Sequence, residues 1–309
     1  MKLFRLIAIG VAVAISILFG ACDRERGAWS PKSAELAFMS DRDGDAEIYL
    51  VRGRSSKWTN LTNDPAKDNW PEWSPDGARI AFQSDRAGNL DIWVMNADGS
   101  QPTQLTTDPE SDYFPAWSPD GSRITFTSWR REPADRERAV HIYAMNADGS
   151  DQRRLIASSP GTSGGAIWAP DGRTLLLTRE IRDQGTDIFL ADASGRVVRR
   201  LTNDRANNGA PAFSPDGARV AFYSEHRKTS SLAIVDIDGS HRRTVLSEGR
   251  CRYPRWSPDG RWLVYTAAVA GSSESDLDVL AIRVEGRAKP ITLAGGPGRE
   301  AEGRWRPRP

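Results

Sequence analysis

The chain is poor in the residues that most often carry chemistry. Its 309 residues include three histidines and two cysteines. His141, His226 and His241 have no metal-ligand spacing with one another. An excess of either charge is also missing. Forty-two Lys and Arg stand against 41 Asp and Glu, a formal net charge of +1, so the basic footprint of a nucleic-acid-binding domain is absent. Long hydrophobic runs are absent but for one, and the mean hydropathy is negative, which argues against a multi-span membrane protein. No nucleophile elbow is present, because Gly161-Thr162-Ser163-Gly164-Gly165 lacks the strand–turn–helix context which that motif needs. No phosphate loop opens a helix either. These gaps lead to the expectation of a non-enzymatic protein without a cofactor.

The single apolar run, residues 6–21, follows Lys2 and Arg5 and stops at Cys22. Sixteen residues are short for a spanning helix, which needs about 20. A basic head, an apolar middle and small residues before the break read as an export signal over residues 1–21. Gly20-Ala21-Cys22 resembles a bacterial lipoprotein box, so Cys22 is the expected lipidation site and residues 22–28 a short tether. The alternative is an uncleaved N-terminal anchor. With Cys22 lipidated, Cys251 has no partner for an intramolecular disulfide, and the fold must be held by its core. The expected location is the cell envelope, lipid-anchored and facing the periplasm, with the choice of membrane open.

Against these absences stands one motif repeated along the chain. Trp73-Ser74-Pro75-Asp76-Gly77 recurs at Trp117 and Trp256, and in altered form at Trp168 and Phe213. Partial copies begin at Trp29 and Trp305. The aromatic residues are 44, 44, 51, 45, 43 and 49 positions apart, a period of stacked supersecondary units. Ser-Pro-Asp-Gly is a tight turn: the proline pre-sets one backbone angle and the glycine accepts a left-handed one. Six second strands are predicted, at residues 36–40, 80–84, 124–128, 175–178, 220–224 and 263–266. Six third and six fourth strands follow them, giving an all-β, six-bladed propeller of four-stranded antiparallel blades over residues 29–309. Seven copies of the first-strand motif serve six blades. The terminal copy at Trp305 is therefore expected to dock on blade one and latch the ring.

The unit reads Trp-Ser-Pro-Asp-Gly, Ile-Ala-Phe-x-Ser-Asp-Arg-x-Gly, Asp-Ile-Trp-Val-Met-Asn-Ala-Asp-Gly, Leu-Thr. It is similar to the WD-related repeat of the TolB-type propeller family, from Trp29 to Trp305. The resemblance implies an envelope protein that binds a protein partner, as TolB binds the peptidoglycan-associated lipoprotein in the Tol-Pal system. This chain departs from TolB in two expected respects: residues 23–28 leave no room for an α/β domain before the first repeat, and Cys22 implies a lipid anchor.

Propeller geometry puts the Ser-Pro-Asp-Gly and Asn-Ala-Asp-Gly turns on one face, uniform and structural in character. The variable face holds residues 129–138, 225–228 and 268–275. Five positions before each motif aromatic stand Asp68, Asp112, Ser163, Asn208, Cys251 and Glu300, with neighbours Asn69, Trp70, Tyr113, Asn207, Arg252 and Tyr253. These residues and Trp129 are the candidate binding face. Converging oxygens could hold a divalent cation at the central channel or hydrogen-bond a peptide or glycan. They could equally cap strand ends. Three functions follow: a protein-binding scaffold, with an envelope protein as partner; a glycan or peptidoglycan-fragment binder using Trp70, Trp129, Tyr113 and the acids; and a metal-assisted lyase or hydrolase, which needs His226 to meet at least two of Asp68, Asp112, Glu225 and Glu300.

Overall fold

The computed structural model describes residues 30–55, 57–131, 140–156, 163–227, 229–247, 250–268, 276–286, 289–296 and 298–307. The signal segment, Cys22, the tether, Trp29, residues 132–138 and 269–275 of the two loop insertions, and Lys228 lie outside them. The described residues form six four-stranded antiparallel sheets, as the repeats predict. Blade two shows the plan: an inner strand Asp68–Trp73, a turn, Arg79–Ser84, Asp91–Asn96 and a short outer strand Thr103–Gln104. The other inner strands are Asp112–Trp117, Ser163–Trp168, Asn207–Phe213, Cys251–Trp256 and Glu300–Trp305.

Blade one is assembled from both ends of the described chain. Glu300–Trp305 pairs antiparallel with Glu35–Ser40, setting Leu36 opposite Trp305 and Ser40 opposite Glu300. The expected latch is therefore a strand, the innermost of its blade.

The second strands are buried at nearly every position, because both faces of each sheet meet another sheet. The core lies between blades: each of six buried clusters joins residues of two neighbours. One sets Ile92 and Val94 of blade two against Trp117, Ile124 and Phe126 of blade three. Another joins Leu36, Phe38 and Trp305 of blade one to Val264 and Val279 of blade six. Trp73, Trp117, Trp168, Trp256 and Trp305 are all buried in these interfaces.

Three of these tryptophans also bolt their blade to the one before. The indole N–H of Trp73 donates to the Arg304 carbonyl, that of Trp117 to Glu72 and that of Trp256 to Ala212, each at 3.1 Å. All three acceptors occupy one repeat position, immediately before the preceding blade's motif aromatic. The turns repeat with the same regularity. Ser74 Oγ donates to Asp76 Oδ1 at 2.5 Å and accepts from the Arg79 N–H at 2.9 Å. Gly77 closes the turn at φ 66°.

Loss of the closing strand should be felt by the whole ring. Trp305→Ala should cost about 3–5 kcal/mol, as for other buried tryptophans, and removal of residues 304–309 should cost more, lowering a single cooperative calorimetric transition. An unchanged melting temperature after truncation would show that the strand is not a latch.

Candidate ligand-binding channel

A β-strand alternates its side chains between two faces, but no inner strand here does so throughout. Each breaks register about three residues before its motif aromatic. At that point stand Trp70, Phe114, Gly165, Ala210, Tyr253 and Glu302, all with φ between 47° and 62°. A left-handed backbone is unusual for bulky residues and costs on the order of 1–3 kcal/mol. It persists here because the bulge is built into all six blades. Proline follows at positions 71, 115, 211 and 254, where a missing N–H costs a bulged ladder little.

The six positions are unequally filled. Trp70 meets Phe114 edge-on, with ring centroids 4.5 Å apart, and Tyr253 at 4.9 Å. Trp70 and Tyr253 belong to blades two and six, so their rings meet across the inner strand of blade one. Beneath them, Glu302 Oε2 accepts the Trp70 backbone N–H at 2.7 Å. Gly165 and Ala210 supply almost no side chain, and a methyl placed on Gly165 would touch nothing within 4 Å. The space left is a cavity of about 260 Å³ inside the ring, lined among others by Trp70, Phe114, Ile167, Tyr253, Arg255 and Arg304. Gly209 is also required here: a methyl on it would lie 2.4 Å from the Tyr223 hydroxyl oxygen.

Glu72, Arg255 and Arg304 line the cavity, and Glu302 is buried beside it under Trp70. Arg304 is held by Glu72, Nε to Oε2 at 2.7 Å. Burial pushes the Glu302 carboxyl up to about 6, against the pull of the Trp70 N–H and of Arg304, Arg299 and Arg255. Arg255 donates from Nη1 to the carbonyls of Ala210 at 3.2 Å and Pro254 at 2.9 Å. Burial, and then repulsion from Arg304, lowers the Arg255 guanidinium to about 9, so it remains charged at neutral pH.

The acids picked out by the sequence lie elsewhere. Asp68, Asp112 and Glu300 are wholly buried, each at the head of its own inner strand. Arg86 holds Asp68 at 2.5 Å and reaches Asp64 at 3.7 Å. Arg130 holds Asp112 at 2.6 Å and reaches Asp108 at 3.5 Å. Glu300 accepts from Ser40 Oγ at 3.2 Å and sits 3.8 Å from Arg42. The three arginines close the Ser-x-Arg segments that end the second strands of blades one to three. In blades four to six, where no acid heads the inner strand, no arginine stands at that place. Acid and arginine thus come and go together, and the pair is a clasp within a blade.

The remaining candidates scatter. Asn208 is buried and donates to Asp204 Oδ1 at 2.7 Å, while Asn207 is exposed beside it. Asn69 is half-buried opposite Gln83. Arg252 pairs with Glu225 at 2.6 Å, and Tyr113 packs on Phe114 with centroids 4.9 Å apart. The Trp129 N–H reaches the Ser111 carbonyl at 3.1 Å. The Cys251 thiol is buried against Ser230, and burial raises its pKa. Trp70 and Tyr253 are the two candidates that line the cavity. His226 is exposed, and among the described residues no three His, Cys, Asp or Glu gather where a metal ion could be held. Sequence reasoning missed Phe114, Arg255, Arg304 and Glu302. The signal for Phe114 and Glu302 was the position three before the motif aromatic, whereas Arg255 and Arg304 stand immediately before it.

The model of the TolB beta propeller domain matches residues 23–113 and 113–288. The chain belongs to this family. An uncharacterized protein of Agrobacterium fabrum is 32% identical over 141 residues, 45% of this chain and 47% of the relative. The Tol-Pal system protein TolB of Anaeromyxobacter dehalogenans is 32% identical over 107 residues, 35% of this chain and 24% of the relative. The chain thus spans less than half the length of these curated relatives. The crystal structure of TolB from Acinetobacter baumannii superposes with a TM-score of 0.75 at 21% identity, covering 90% of this chain and 68% of that one. An oligogalacturonate lyase in complex with manganese superposes with a TM-score of 0.60 at 15% identity, over 86% of this chain and 75% of that one, a likeness of fold alone.

The buried acids set a pH dependence. Glu300 is pushed up to about 7 and Glu302 to about 6 by burial, from an ordinary value of 4.5. Between 4.5 and 7 the folded chain binds more protons than the unfolded one, so stability falls as pH rises through this window. The melting temperature should be higher at pH 5 than at pH 8, and Glu302→Gln should flatten the slope. A wild-type melting temperature that rises over this range would contradict the assignment.

Proposed function

We propose that this propeller is a non-catalytic binding protein of the bacterial cell envelope, and that it holds a protein partner at the rim of its central channel. The observation that carries the reading is family membership across the propeller, with relatives that are TolB proteins of the Tol-Pal system. The two faces support it. One is a ring of near-identical turns, in which Gly121, Gly172, Gly217 and Gly260 each abut the turn proline of the preceding blade. The other carries the loops around Trp129 and Glu225 and the heads of the inner strands. A tether through lipidated Cys22 would keep that face within reach of membrane-bound partners.

A second reading, binding of a glycan or peptidoglycan fragment, is favoured by one observation. Among the described residues Val198 is the one large hydrophobic side chain that is strongly exposed, so no broad apolar face is on offer, whereas the channel presents aromatic rings around a small cavity.

Photo-crosslinking in cells separates the two. Crosslinkers at Trp129 and Arg252 should capture one envelope protein that a crosslinker at Asp98, on the turn face, does not. Capture of none from either face, with the protein folded and membrane-bound, would reject the partner reading and leave the glycan.

A further inference from the structure

Arg255 is the one arginine at the cavity that makes no ion pair among the described residues, although Glu72 and Glu302 attract its charge through space. Its Nη1 is spent on the carbonyls of Ala210 and Pro254, and these two bonds fix the plane of the guanidinium. Neither Nε nor Nη2 has an acceptor among the described residues, and no carboxylate there lies within 4.0 Å. The neighbouring charges are otherwise engaged: Glu72 is held by Arg304, and Glu302 is turned to the Trp70 N–H. Nε and Nη2 form the edge of a guanidinium that takes both oxygens of a carboxylate at once. That edge belongs to a side chain lining a cavity whose walls also include Trp70, Phe114, Tyr253 and Ile167, with the Arg304–Glu72 pair beside them.

We propose that the channel cavity is a binding site for a small free organic acid, with its carboxylate on the Nε–Nη2 edge of Arg255 and a flat apolar body against the aromatic wall. Two features argue for this ligand class. A site with one unpaired cation beside the Arg304–Glu72 pair, and otherwise mostly apolar walls, orients a molecule that is charged at one end and greasy at the other. The volume of about 260 Å³ suits a molecule of one ring, well short of a polymer. The empty space is made by Gly165 and Ala210, placed where other blades carry Trp70, Phe114 and Tyr253. This site lies inside the ring and does not rest on the partner reading, which concerns the rim.

That geometry also supplies a blocking variant. Ala210 has the same left-handed backbone as Phe114, at φ 47° and 57°, so Ala210→Phe should fill the cavity with a side chain this position already carries elsewhere in the ring. Benzoate is the probe and benzamide its neutral counterpart, with binding followed by calorimetric titration and ligand-observed NMR. Wild type should bind benzoate saturably with a Kd below about 1 mM, and benzamide at least about tenfold more weakly. Arg255→Gln should lose the preference for the acid, and Ala210→Phe should bind neither while melting like wild type. The proposal is overturned if benzoate does not bind saturably, if benzamide binds as well as benzoate, or if Ala210→Phe binds benzoate as wild type does. Because Arg255→Gln also gives up two backbone contacts, the filled variant is the deciding one should that protein fail to fold.

Discussion

Everything in this fold depends on closing a ring with a strand drawn from the far end of the chain. No blade buries a core alone, since each apolar cluster is shared between neighbours. An open arc of six blades would leave two unburied faces and an unpaired inner edge on blade one. Residues 300–305 remove these defects together. They pair with residues 35–40, seat Trp305 in the interface with blade six, and offer the Arg304 carbonyl to the indole of Trp73. The loop entropy of joining segments about 260 positions apart grows only with the logarithm of that distance. It is therefore small beside the burial of a whole interface.

The channel inherits its form from this closure. Six inner strands converge on one axis, and each carries its bulge at the same position of the repeat. Five of the six bulge residues, Trp70, Phe114, Gly165, Ala210 and Tyr253, line the cavity. Glu302 is the contribution of the closing strand, so the segment that shuts the ring also brings the buried acid into the channel, with Arg304 one step behind it. Architecture and site are thus joined at one strand.

Much of the fold was legible in the sequence because turn chemistry is local. Ser-Pro-Asp-Gly and Asn-Ala-Asp-Gly specify their conformations within four or five residues, and their spacing alone counts the blades. The role of Trp305 followed from having one motif copy too many. The site was harder to read. Asp68, Asp112 and Glu300 are candidates for the binding face because they open the first strands near the mouth, with strand capping as the alternative, and the acids sit in clasps with Arg86, Arg130 and Arg42. Their pairing with Ser-x-Arg segments was visible within the repeats, but only a comparison blade by blade exposes it. The residue at the bulge gives no composition signature, for Trp70, Gly165 and Glu302 share no chemistry, although proline follows it in four blades of six. A conformation common to residues that unlike belongs to the repeat position and not to the residue type.

That indifference has an evolutionary consequence. The six left-handed positions act as interchangeable sockets: tryptophan, phenylalanine, tyrosine, alanine, glycine and glutamate all occupy one backbone shape in a single molecule. A gene that duplicates such a unit inherits a lining that can drift one residue at a time, while the apolar clusters between blades are left alone. Ligand preference in such a ring can therefore diverge faster than the scaffold, and two chains with nearly the same repeats can hold very different molecules at their centres.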